Sequence, residues 1–407
     1  MRPRRCGGTG DLPMHPDTDA DLPRRRWLGL AAGLGLAGAA MSTGCASASS
    51  ARPAASSAAA SSSASSSASS SASSAVKAAS GTAMSTTFTN PVLPDREAGD
   101  PFVVFHEGAY YLTATFDPNG GVWVYRSDRL SDWREAERKK VWTADPSGPR
   151  SAMIWAPELH HLNGRWYLYF TASDQVDANH RHYVLEADHP MGPYRDLGRV
   201  HLAHERYSID GSVLQLADGR LFWMYADSGL WIAPMSSPAK AIGPGVRIVQ
   251  GEHDWERGWH KVDGKWEVQP KDYWIEAPQP LRHGGRDFVV YSAGHTAAVY
   301  YLGLLELTGK DPMDPKSWTK HPKPVFSPEP SPGGGAPGVF VPGHNSFTKS
   351  PDGTEDWLVY HAKDSAENDA HGRTMRIQRF TWTADGRPDF GHAIPSGVPQ
   401  RKPSGEV

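Results

Sequence analysis

One small pattern recurs five times along the chain: an apolar strand, a short turn built on Gly, and a strand rich in Tyr, Trp and Phe. The copies span residues 102–115 around Gly108, 157–173 around Gly164, 212–227 around Gly219, 278–293 around Gly285 and 345–362 around Gly353. Successive turn glycines lie 56, 55, 66 and 68 residues apart. A strand-built repeat of this period is the sequence signature of a β-propeller. The expected fold is therefore all-β, a five-bladed β-propeller. A third run with period-two alternation follows each copy, at 122–126, 182–186, 230–234, 299–307 and 373–382. A fourth, shorter piece is marked by an aromatic after polar turn residues, as at Trp133, Tyr194 and Trp318. The fifth copy has no obvious fourth strand. Residues 88–93 are expected to supply a strand that closes the ring.

Not all of the 407 residues suit a packed core. Arg24, Arg25 and Arg26 open an apolar run that ends near Met41, too short for the roughly 20 residues of a spanning helix. Paired arginines before a short apolar stretch read as a twin-arginine-type export signal over residues 1–45. Ser42-Thr43-Gly44-Cys45 is similar to a lipoprotein processing box, although Ser42 stands where a larger apolar residue is usual. Two readings stay open there: a lipid on Cys45, or a plain cleaved leader. Residues 46–86 are almost all Ser and Ala and are expected to form a disordered linker. That leaves 87–395 for the propeller and 396–407 for a C-terminal tail. The protein is expected outside the cell, secreted or tethered to the outer face of the membrane.

The only cysteines are Cys6 and Cys45, so the folded part has neither a disulfide nor thiol chemistry. The formal charge is −3 and no long basic run occurs, which argues against nucleic acid as a partner. The 15 Trp and 14 Tyr point instead to sugar rings, whose apolar faces stack on aromatic ones.

Counting back nine residues from each turn glycine gives Trp155, Asp210, Glu276 and His344; eight back in the first copy gives Asp100. These positions open the strand expected to lie innermost in each blade. Three carboxylates, a Trp and a His would then meet at one mouth of the central channel. Unpartnered carboxylates near a core are costly, so their convergence asks for a chemical reason. Close carboxylates repel, their pKa values spread apart, and one stays a base while another stays an acid. Glycosidic bond cleavage needs that division of labour.

The motifs Gly99-Asp100-Pro101-Phe102, Trp155-Ala156-Pro157-Glu158, Ile209-Asp210-Gly211-Ser212, Ile275-Glu276-Ala277-Pro278 and Gly343-His344-Asn345-Ser346-Phe347 resemble the successive blade motifs of glycoside hydrolase family 43. The segment from Thr374 to Trp382 and the closing Ala384-Asp385-Gly386-Arg387-Pro388-Asp389-Phe390-Gly391 resemble the end of that family's arabinofuranosidases. The resemblance implies an inverting hydrolase with Asp100 as general base, Glu276 as general acid and Asp210 as the carboxylate that raises the acid's pKa. It implies that Arg376 reaches the sugar hydroxyls and that His344 lies near a metal on the axis, often calcium, touched directly or through water. No organic cofactor is implied. The implied partner is a plant cell-wall oligo- or polysaccharide, with terminal α-L-arabinofuranose in arabinan or arabinoxylan as the substrate. Trp155 is expected as a stacking platform for sugar.

Other readings compete. β-D-Xylosidases and endo-arabinanases of the same family share the three acids, and loops such as 251–273 would set the depth of the pocket; a second long loop, 328–342, precedes the fifth copy. A propeller that only binds carbohydrate has no use for three converging carboxylates. A sialidase would show arginines where this chain has acids. Glu158 is the chief rival carboxylate, expected in a buried hydrogen-bonding role, and Asp174 and Asp227 are expected in turns.

Overall fold

A computed structural model describes residues 85–203, 206–328, 339–366 and 370–406. The leader and most of the Ser/Ala segment, with Cys45, lie outside the described residues. Alternating apolar residues and glycine turns give five antiparallel sheets in chain order. Blade 1 holds Gly99–His106, Ala109–Thr115, Gly121–Ser127 and Glu137–Thr143. Blade 2 holds Ala152–Leu162, Arg165–Ser173, Arg181–Ala187 and Arg195–Arg199. In blade 3, Ile209–Gln215, Leu221–Ala226 and Leu230–Ser237 are joined by two short strands, Lys240–Ala241 and Val246–Val249, that both pair with the third. Blade 4 holds Ile275–His283, Arg286–His295, Val299–Leu307 and Trp318–Lys320. Blade 5 holds Phe340–Lys349, Asp356–Lys363, Thr374–Trp382 and Pro388–Asp389.

The first strands of consecutive blades touch all the way round, and that of blade 5 touches that of blade 1. They therefore line the axis. Period-two alternation gives each blade two apolar faces, and each seam between blades has its own core. Tyr111 and Val124 meet Leu159 and Phe170 between blades 1 and 2. Tyr169 meets Trp223 between blades 2 and 3, and Met224 meets Tyr291 between blades 3 and 4. Phe288 and Leu302 meet Leu358 and Tyr360 between blades 4 and 5. Trp357 and Met375 meet Tyr110 and Leu112 at the closing seam between blades 5 and 1. Each fully buried aromatic contributes about 1.5–3 kcal/mol by removal from water, so five seams of this kind hold the ring.

Closure differs from the sequence expectation. Residues 88–93 add no strand to a blade. Thr87–Phe88 pairs instead with Gln400–Arg401, outside the five sheets. Asn90 then stands in for a strand: its Nδ2 donates to the Ile377 carbonyl at 2.8 Å and its Oδ1 accepts the Ile377 amide at 3.0 Å. Val92 and Leu93 enter the closing core. The fourth strand of blade 5 is the short Pro388–Asp389, whose two residues carry too little apolar pattern to announce a strand. The described part of the segment 396–407 is more than a tail. The Glu406 carboxylate accepts the amides of Leu130 and Ser131 at 2.9 and 3.1 Å, and Ser404 donates its amide to Glu355 at 2.9 Å. Both flanks of the domain thus grip the same seam.

Candidate active site

Every innermost strand carries a β-bulge at its entry. Strand pairing slips between Gly99 and Phe102, Trp155 and Glu158, Ile209 and Ser212, Glu276 and Gln279, and Gly343 and Ser346. The first bulged residue is left-handed in all five blades: Asp100 (φ 56°), Ala156 (43°), Asp210 (54°), Ala277 (54°) and His344 (44°). Such a conformation costs about 1–3 kcal/mol for a residue with a side chain. Asp and His tolerate it better than most, and bulges re-aim side chains beside active sites.

The bulge corrects the register read from the sequence. Asp100, Asp210 and His344 are the left-handed residues of their blades, whereas Trp155 and Glu276 stand one residue earlier. The two kinds of position differ in access. Asp100, Asp210 and His344 are 8%, 5% and 6% exposed, while Trp155 and Glu276 are only half-buried.

Amide bonds tie most of these bulges across blades. In three blades the second-strand residue paired just before the bulge supplies an acceptor to the bulge amide of the next blade, whereas in blade 2 the equivalent Thr171 hydroxyl is buried without a hydrogen-bond partner among the described residues. Thr115 Oγ1 accepts from Ala156 N at 2.9 Å, Ser292 Oγ from His344 N at 2.8 Å, and His361 Nδ1 from Asp100 N at 3.0 Å. In blade 3 that position is Ala226, which has no acceptor to offer. The amide of Ala277 is taken instead by Asp210 Oδ2 at 3.1 Å. Asp210 is thereby held against the residue that follows Glu276.

Asp100 is the most heavily partnered of the acids. Its Oδ2 accepts from Thr115 Oγ1 at 2.6 Å, and its Oδ1 lies 2.9 Å from Arg373 Nη1 and 3.2 Å from His344 Nδ1. Burial opposes its charge, but Arg373 first, then His344, overcome this and hold the carboxyl well below the usual range. His361 keeps Nδ1 free to accept from Asp100, so its proton sits on Nε2, 3.1 Å from Thr296 Oγ1. Burial pushes its pKa down to about 4, which keeps the imidazole neutral. Room for the Arg373 guanidinium comes from Gly99, where a Cβ would lie 2.4 Å from Arg373 Cζ.

Asp210 goes the other way. Burial, then the charges of Glu276 and Asp100, push it well above an ordinary carboxylate. Glu276 Oε1 accepts from Tyr300 Oη at 2.7 Å. Burial and the neighbouring Glu276 raise the phenol's own pKa, so it remains a donor. Gly343 makes space for this ring, since a Cβ there would sit 2.2 Å from Tyr300 Cδ1.

The remaining expected residues are placed as follows. Trp155 packs on His180 with ring centroids 4.1 Å apart, and His180 meets Tyr207 edge-on at 6.0 Å, forming an aromatic wall. Arg376 is fully buried, and its guanidinium donates to Asp364. The arginine of this segment that meets the acids is Arg373, three residues earlier. Glu158 is 2% exposed and is hydrogen-bonded by His160 and Gln279 within the channel. Asp174 accepts from Asn179 in a turn, and Asp227 pairs with Arg206. His344 turns Nδ1 to Asp100, and among the described residues no three His, Cys, Asp or Glu side chains form a metal cluster. Calcium takes six to eight oxygen ligands, so these side chains do not fit a protein-built calcium cage.

Arg373, His361, Tyr300 and Thr115 escape the sequence reading. They come from second and third strands or the approach to one, where no motif marks them. The offset of Glu276 had a signal. Pro101, Pro157 and Pro278 each occupy the second bulge position, where an amide is not needed. Alignment on these prolines places Asp100 with Ala156 and Ala277.

Comparison with known proteins agrees with the five-bladed fold. The family model described as Glycosyl hydrolases family 43 matches residues 88–388. The extracellular exo-α-(1→5)-L-arabinofuranosidase of Streptomyces avermitilis is 35% identical over 333 residues, covering 77% of this chain and 65% of its own length. The chain thus spans just under two thirds of that relative. The enzyme of the same name from Streptomyces chartreusis is 35% identical over 293 residues, covering 69% of this chain and 84% of its own. The crystal structure of an α-L-arabinofuranosidase from Lactobacillus brevis superposes with a TM-score of 0.67 at 30% identity, covering 76% of this chain and 98% of that one.

Proposed function

The chain belongs to family 43 of the glycosyl hydrolases, and on that premise we propose that it releases terminal α-L-arabinofuranose from arabinan or arabinoxylan with inversion at the anomeric carbon. One arrangement carries the assignment: Asp100 lies 2.9 Å from the Arg373 guanidinium, which favours its charge, while Asp210 is buried and bonded at 3.1 Å to the amide that follows Glu276, whose charge pushes it upward. Asp100 is the general base. It takes a proton from a water whose oxygen bonds to the anomeric carbon. Glu276, half-exposed and steadied by Tyr300, is the general acid. It gives its proton to the departing glycosidic oxygen as the old carbon–oxygen bond breaks. Asp210 is the modulator. A second negative charge beside Glu276 is unfavourable, so the pair retains a proton to higher pH than a lone carboxylate would. The two carboxylates return to their starting states by proton exchange with solvent.

Trp155 with His180 and Tyr207 forms a wall against which the apolar face of the sugar stacks. The enzyme works outside the cell on plant cell-wall carbohydrate; two relatives carry "extracellular" in their names. Tethering through a lipid on Cys45 belongs to this reading too, and metabolic labelling with a fatty acid tests it. Calcium enters only as a water-bridged neighbour of His344, tested by chelation and calcium add-back. The activity itself is tested with nitrophenyl α-L-arabinofuranoside, β-D-xylopyranoside and β-D-galactopyranoside, following the first-formed anomer by NMR. Arabinofuranoside turnover giving the β-anomer first supports the proposal. Turnover of xyloside alone, or retention, overturns it.

A further inference from the structure

Between blades 3 and 4 the chain leaves the propeller and forms a separate hairpin, Arg257–Val262 with Lys265–Tyr273. None of its residues belongs to a seam core. Its base is nevertheless firmly fixed. Glu256, fully buried, accepts the amides of Glu252 and His253 at 2.8 and 2.9 Å and is bonded by Tyr291 at 2.6 Å and Lys320 at 2.8 Å. His260 meets Asp272 across the hairpin at 2.7 Å. The hairpin runs directly into Trp274-Ile275-Glu276, so its return strand leads to the proposed acid.

Near the hairpin tip, Trp266 folds back onto the propeller. Its ring lies 4.1 Å from that of His295, which also meets Trp274 at 4.7 Å. His295 stands three residues beyond Ser292, the pairing partner of Glu276. That is about 10 Å along the strand at 3.3 Å per residue. The next residue, Thr296, contacts His361, whose other ring nitrogen receives the amide of Asp100. Trp266 is therefore a half-buried indole on the rim above the acid–base pair, packed against the blade that carries Glu276. In glycoside cleavage the acid protonates the oxygen of the leaving group, so the leaving sugar must lie on the Glu276 side.

We propose that the 257–273 hairpin is the leaving-group wall of the pocket and that Trp266 is the platform on which the penultimate sugar of the chain stacks. The inference rests on the arabinofuranosidase reading above. It makes the enzyme selective for a sugar chain over a glycoside with a small leaving group. Loss of one stacked ring lowers transition-state binding by about tenfold.

The test compares α-1,5-linked arabinotriose with methyl α-L-arabinofuranoside, which has no second sugar. In Trp266→Ala the kcat/KM for arabinotriose falls about tenfold more than that for the methyl glycoside, mainly through KM. Trp266→Phe recovers part of the difference. An equal fall on both substrates marks a structural role and overturns the inference, as does no change on either. Trp266→Phe keeps the test open should Trp266→Ala fail to fold. If the wild type hydrolyses neither substrate, the functional reading falls first and is seen to fall separately.

Discussion

Asp210 Oδ2 accepts the backbone amide of Ala277 at 3.1 Å, the amide that directly follows Glu276. Ala226 supplies no acceptor at the position where Thr115, Ser292 and His361 supply one in three other blades. The Asp210 carboxylate takes that amide instead, which holds two carboxylates as neighbours. Asp210→Asn keeps an acceptor for the amide but removes the charge. The proton on Glu276 is then easier to lose, and the alkaline limb of kcat/KM moves to lower pH by on the order of one unit. A limb that stays in place would show that Asp210 does not tune the acid.

Arg373 governs the opposite limb. It lies 2.9 Å from Asp100 and is the largest favourable influence on that charge. In Arg373→Gln the base regains an ordinary or raised pKa, so the acidic limb moves upward while the alkaline limb changes little. Gly99→Ala, whose Cβ would displace the guanidinium, shifts the same limb in the same direction. Stability responds as well. A depressed carboxyl stabilises the fold above its unfolded value near 3.9, and that contribution is lost as pH falls further. Acid unfolding of Arg373→Gln therefore begins with a smaller contribution from Asp100 to lose.

Glu276→Gln retains an acceptor for Tyr300 and should fold normally. Its turnover on arabino-oligosaccharides should fall about 10²–10⁴-fold, the usual worth of a positioned general acid. Substrates with a very good leaving group should lose less. Steady-state kinetics with a thermal melt separates these outcomes, and undiminished turnover would assign the proton to another group.

Glu406 lies far along the chain from the acids and caps the amides of Leu130 and Ser131. Glu406→Ala should cost about 1–3 kcal/mol through those uncapped amides. At 25 °C its kcat/KM should match the wild type. Denaturant titration beside a kinetic assay measures both.

The ring of blades was legible because it rests on repetition: turn glycines, alternation and aromatics all recur. So was the set of acids, since each sits eight or nine residues before its turn glycine. The geometry between them was not. Whether an acid is the left-handed bulge residue or its predecessor depends on a one-residue slip, which the count from Gly108 and Gly285 blurred and the prolines at 101 and 278 would have marked. Arg373 in place of Arg376 shows the same limit: neighbouring residues on one segment serve different surroundings, and composition does not say which one meets the acids. The closing strand was misread because Asn90 completes the pairing with its side chain, which leaves no strand pattern to detect.

Asp100 belongs to blade 1, yet its Arg373 and His361 belong to blade 5. The seam that both flanks of the domain clasp is therefore also the place where the proposed base is assembled. A partial opening there would switch off water activation while four intact interfaces still gave a folded spectrum, so inactivation on heating should run ahead of the loss of β-sheet signal.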